Sequence, residues 1–129
     1  MIFKFITVIL VAILFSLNSF SQLNSTKILI GKWEATDRGK TGKFEFIDGT
    51  HVTVTYPDGS VDNCTYKIDF TKYPVWFDII NSKARMSRTL NGLIQILNNT
   101  TFNWCLSRDG KRPLDYSHPS MTFKKKISN

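Results

Sequence analysis

The chain has 129 residues and a formal net charge of +7, which bounds it to one domain with a modest core. The charge suits an acidic partner or surface but carries no information about fold. With two histidines far apart, His51 and His118, and no closely spaced cysteine pair, the common zinc-ligand spacings are excluded.

The first 21 residues read as a cleaved signal peptide. Lys4 is the only early charge, the run Phe5 to Leu17 is mostly apolar, and Ser19-Phe20-Ser21 offers small residues where a signal peptidase reads. The run is shorter than the roughly 18–20 residues of a spanning helix, so no transmembrane span is expected after cleavage. The implied compartment is secreted or periplasmic. Without Lys4 the mature chain carries +6. Residues 22–27 read as a flexible arm, and residues 28–126 as the folded domain.

From there nearly every segment has strand character, and no window keeps a helical period over three turns. Ile28 to Thr36 is the first apolar run and carries Trp33. Gly39-Lys40-Thr41 resembles the end of a phosphate-binding loop, but the glycine required five residues earlier is Glu34 and the chain continues as a strand. It therefore reads as a turn. Lys43 to Ile47 alternates on Phe44 and Phe46, Asp48-Gly49 signals a hairpin, and His51 to Tyr56 alternates on Val52, Val54 and Tyr56. Pro57-Asp58-Gly59 is a second turn. Ser60 to Phe70 presents Cys64, Tyr66, Ile68 and Phe70 on one face, and Thr71 to Pro74 breaks it. Val75 to Ile80, Ser87 to Leu97, Thr100 to Ser107 and Met121 to Lys125 complete the set, with a polar loop from Asp109 to about Ser120.

Eight short strands with tight turns and no crossover helices predict an all-β, antiparallel meander. Hiding both edges closes it into an eight-stranded up-and-down barrel, whose interior holds side chains or one small ligand. Inward candidates include Trp33, Phe44, Phe46, Tyr66, Phe70, Phe77, Phe102, Trp104 and Phe123. The candidate ligand-pocket residues are Phe44, Phe46, Tyr66, Phe77, Phe102 and Trp104.

Leu29-Ile30-Gly31-Lys32-Trp33 resembles the glycine–any–tryptophan opening of lipocalins and other calycin barrels. In order behind it come Lys43 to Phe46, Tyr66 to Pro74, Trp76 to Ile79, Cys105-Leu106 and Gly110 to Pro113. That series is similar to small exported bacterial lipocalin-like domains. The resemblance implies that Gly31 lets the chain turn sharply into the first strand and that Trp33 packs at the closed end. It also implies a small apolar pocket, and no shared catalytic residue. Two departures stand out. The last strand has Lys124, Lys125 and Lys126 where vertebrate lipocalins have a late arginine over the first tryptophan. The connection after the first strand is also short for an open-end lid.

An exported protein can hold a disulfide, and the even count favours Cys64–Cys105. Strand parity argues against it: Cys64 looks inward, whereas Cys105 lies between Trp104 and Leu106 and looks outward. The scattered carboxylates, Asp58, Asp62, Asp69, Asp78 and Asp115, form no local acid–base pair. Lys83, Arg85 and Arg88, and Lys111, Arg112 and Lys124 to Lys126, make two basic groups that read as a solvated rim. Binding to an anionic envelope surface is a middle case, and export argues against nucleic acid.

The expected function is therefore non-catalytic binding of a small hydrophobic or amphipathic ligand, with no cofactor. The alternative is an interaction or inhibitor module with a packed interior, working through its loops on a protein or envelope surface. An enzyme using Tyr66, His51 or Asp78 ranks last.

Overall fold

The computed structural model describes residues 25–81, 88–117 and 120–127. The signal-peptide reading, Lys83, Arg85 and His118 lie outside the described residues.

Eight strands run β1 Gly31–Asp37, β2 Lys40–Phe46, β3 His51–Thr55, β4 Val61–Asp69, β5 Trp76–Asn81, β6 Arg88–Asn98, β7 Thr101–Cys105 and β8 Ser120–Lys125. Each pairs antiparallel with the next, and β1 pairs with β8 to close the barrel. The fold is the all-β, eight-stranded up-and-down barrel that the alternation predicts. Closure follows from composition as well as geometry: a flat meander with this many inward aromatics would leave one greasy face and two free edges.

Turn chemistry sets the registers. Asp37 pairs with Lys40, so Arg38-Gly39 alone makes the first turn, both with positive φ (52° and 78°). That double positive φ suits a tight two-residue hairpin. Of Gly39-Lys40-Thr41, expected as a turn, only Gly39 is in the turn; Lys40 and Thr41 open β2, so the expected start of the second strand moves from Lys43 to Lys40. The Asp48-Gly49 turn forms by another route, since neither residue has positive φ. The Asp48 carboxylate accepts the backbone N–H groups of Thr50 and His51, at 2.8 and 2.7 Å.

Ile28 and Leu29 are not in the first strand. They belong to a short 3-10 helix, Thr26–Leu29, whose Lys27 N–H donates to the Ser25 side chain. Leu29 is fully buried, and its carbonyl accepts the Trp33 indole N–H at 2.7 Å. Gly31 has φ +127°, and a Cβ there would meet Lys125 Cε at 3.1 Å. Both facts reserve the position for glycine. Lys125 places its ammonium 5.6 Å from the Trp33 ring centroid, over the tryptophan that closes this end.

The core is an aromatic column. Trp33 meets Phe102 at 4.8 Å, Phe102 stacks on Phe123 at 5.0 Å, and Phe123 stacks on Phe44 at 4.4 Å. Phe46, Tyr66 and Phe77 pack beside it. The Tyr66 hydroxyl donates to the Asp48 carbonyl at 2.6 Å, so its polar end is satisfied at the closed end.

A smaller hydrophobic layer lies outside the barrel. Trp76, Leu93 and Cys105 occupy one cross-strand row, on β5, β6 and β7. Leu93 and Cys105 are at most 1% exposed, although both point away from the core. The loop after β7 covers this face, with Pro113 buried and the Tyr116 hydroxyl donating to the Ile94 carbonyl at 3.1 Å. Cys105 faces outward as parity requires, yet a loop rather than the sheet buries it. Cys64 and Cys105 are both free thiols.

Candidate functional site

The lower half of the barrel is filled by Trp33, Phe46, Tyr66, Phe77 and Phe102, each 4% exposed or less. The half towards the β1–β2 and β3–β4 turns is not filled. It holds a cavity of about 420 Å³. Phe44, Trp104 and Phe123 line it on the side of the aromatic column, and Val54, Ile79 and Leu90 contribute aliphatic walls. Asp37, Lys40, Tyr56, Asp62, Asn81 and Arg88 supply polar groups to the lining.

Of the six aromatic pocket candidates, Phe44 and Trp104 line the cavity. Phe46, Tyr66, Phe77 and Phe102 are not among its lining residues; they form the packed layer beneath. The reason is vertical position. All six alternate inward, but strand parity fixes only which face a residue takes and not its height along the barrel axis. Lining residues outside those six, Val54, Leu90, Met121 and Phe123 among them, sit near the strand ends at the β3–β4, β5–β6 and β7–β8 connections; of these the sequence reading placed Phe123 inward but not in the pocket. That position relative to the turns was the available signal.

Trp104 fits because residue 92 is glycine. A Cβ on Gly92 would come within 2.7 Å of both the Trp104 Nε1 and the Cys105 carbonyl oxygen. The Trp104 N–H is itself buried with no hydrogen-bond partner among the described residues. Such an orphan donor costs about 1–3 kcal/mol relative to a satisfied one.

Two groups in the lining ionise poorly. The Tyr56 hydroxyl donates to Asp62 Oδ2 at 2.9 Å. Burial and then this hydrogen bond push its pKa up to about 12. Burial, and next the Asp62 charge, also raise the Cys64 thiol. Both stay protonated near neutral pH, so neither is an activated nucleophile.

The residues considered for catalysis are not brought to the cavity. His51 is exposed and places Nδ1 3.0 Å from Asp48 Oδ2 at the closed end. Tyr66 is tied to Asp48 by its hydroxyl. Asp78 points outward and receives Arg112, with Nη1 at 2.6 Å and Nη2 at 3.0 Å. Among the described residues no group of three histidine, cysteine or acidic side chains is placed to hold a metal. No described helix is long and apolar enough to cross a membrane.

The basic residues separate as well. Arg112 is clamped on Asp78, Lys125 lies over Trp33, Lys126 reaches Glu34 at 3.0 Å, and Arg88 reaches the cavity rim. Comparison with family models, with curated proteins and with solved structures returns no match for this chain.

Proposed function

We propose that the chain is a lipocalin-like, non-catalytic barrel that acts after export and holds one small hydrophobic or amphipathic molecule in the upper half of its interior. The single observation that carries this reading is the cavity of about 420 Å³, bounded by Phe44, Trp104, Phe123, Val54, Ile79 and Leu90. Its size falls in the range of small-molecule pockets, and an apolar wall with a few polar groups is their usual composition. The Gly31–Trp33 opening supports the lipocalin-like assignment. A module working only through its loops has no need of such a void.

Native mass spectrometry of protein purified from its own source tests the reading. A bound small molecule, or saturable uptake of a fluorescent lipid probe, is expected. A clean apo mass together with no probe uptake overturns it.

A further inference from the structure

The barrel is closed by ladders of very different length. β1 pairs with β2 at every position from Gly31↔Phe46 to Asp37↔Lys40. The closing ladder between β1 and β8 has only Trp33↔Lys125 and Glu34↔Lys124. Continuing that register would set Ala35 against Phe123, Thr36 against Thr122 and Asp37 against Met121, and the pairing stops before them. On its other side, β2 joins β3 only from Lys43↔Thr55 onwards. The ribbon Ala35 to Gly42 is therefore held by no ladder at either flank.

The unpaired stretch of β1 and β8 separates two hollows. On the inside, Ala35, Asp37, Met121 and Phe123 line the cavity. On the outside, Glu34, Thr36, Thr122 and Lys124 line a shallow groove, joined by Lys125 and Lys126. Alternate residues of the same two strands thus face an apolar interior and a basic exterior. Among the described lining residues Glu34 is the groove's only carboxylate, and Lys43 and Lys126 already engage it, at 3.7 and 3.0 Å. Lys124 has no carboxylate within ion-pair distance among the described residues.

We propose that this seam is a side portal for a single-chain anionic amphiphile, which rests on the reading of the cavity as a ligand site. The apolar chain passes between Ala35 and Phe123 into the cavity, and the anionic head stays outside on Lys124. The ribbon moves away from β8 to admit it. Parting the wall here breaks no ladder hydrogen bond, whereas the upper parts of β3–β4 and β5–β6 are paired throughout. An added peptide strand does not fit the same place. It would have to widen the seam by about one further strand spacing, about 4.8 Å, and β1 and β8 remain neighbours in the closed barrel.

The test uses the purified protein and 11-(dansylamino)undecanoate, a single-chain carboxylate whose fluorescence rises in apolar surroundings. Thr36→Cys with Thr122→Cys allows a disulfide across the seam, and both native thiols are buried. Oxidation is expected to slow probe association at least tenfold, with recovery on reduction. If the disulfide does not form, Thr36→Arg with Thr122→Glu provides an ionic closure, with association restored by salt. Lys124→Glu is expected to weaken the carboxylate about tenfold and leave its methyl ester unchanged. Equal association rates for open and closed seams overturn the portal. Equal responses of carboxylate and ester to Lys124→Glu overturn the head-group site. Absence of binding in every variant, the unmodified protein included, sinks the ligand reading itself and the portal with it.

Discussion

Arg112 grips Asp78 with two donors, Nη1 to Oδ1 at 2.6 Å and Nη2 to Oδ2 at 3.0 Å, while Nη1 also donates to the Gly92 carbonyl at 2.9 Å. The same guanidinium lies 4.1 Å from the Trp76 ring centroid. One side chain thus fastens the loop after β7 to β5 and β6, and so keeps Leu93 and Cys105 covered. Arg112→Lys keeps the charge but loses the fork and the stacking geometry. A loss of about 2 kcal/mol is expected in urea denaturation. Faster reaction of Cys105 with a thiol reagent should accompany it. Unchanged stability and unchanged Cys105 reactivity would show that the loop is held by other contacts.

Gly92→Ala tests how tightly Trp104 is seated. The new methyl would meet the Cys105 carbonyl oxygen and the indole nitrogen, each at 2.7 Å. Relieving both contacts requires the indole to shift and the backbones of β6 and β7 to part slightly. Overpacking of this kind costs about 1–3 kcal/mol. Thermal unfolding and tryptophan emission should both change. A variant as stable as the parent, with the same spectrum, contradicts the geometry.

The two halves of the interior should respond oppositely to substitution. Phe46 is 1% exposed and packs on Tyr66, Phe77 and Phe102. Phe46→Ala should cost about 3–5 kcal/mol. Leu90 faces empty space, so Leu90→Trp should be accommodated with little loss of stability while probe affinity falls at least tenfold. Circular dichroism and a fluorescence titration separate the two effects. Full probe binding by Leu90→Trp would place the ligand elsewhere.

Stability should decline at both ends of the pH scale, for different reasons. Tyr56 and Tyr66 have folded values of about 12, above the unfolded value of about 10. Their contribution is complete below about pH 10 and is lost as pH rises from there through about 12. Asp48, Asp58, Asp69 and Asp109 behave in the opposite sense. Hydrogen bonds from the following turn residues hold their carboxyls below the usual range. That stabilisation is present above an unfolded value of about 3.9 and disappears as pH falls through the lowered values. Equilibrium denaturation across pH, repeated with Tyr56→Phe, checks the alkaline limb. A limb unchanged in the variant assigns the loss to Tyr66 or to general repulsion.

Strand alternation by itself determined the number of strands, their order and most of the side chains that turn inward, because a period of two is a local property of the chain; Phe70, expected on the inward face, lies past the end of β4 in a turn and is only half-buried. Alternation alone began the first strand at Ile28; it was the resemblance to the lipocalin opening that marked Gly31 and Trp33 as the start of the barrel. Alternation also reached the outward direction of Cys105. Parity could not tell that the loop carrying Arg112 and Pro113 would bury that cysteine, since alternation says nothing of where an irregular loop folds back. Nor could it sort Phe44 and Trp104 from Phe46, Tyr66, Phe77 and Phe102. All six obey the same alternation, and their heights depend on how eight registers accumulate around the closed barrel. The cavity exists because the large rings share one half of the barrel and residues such as Val54, Ile79 and Leu90 are left to wall the other. The early end of the β1–β8 ladder is likewise a product of closure. Two strands from opposite ends of the domain meet only in the tertiary structure, and only there is it decided where their pairing stops.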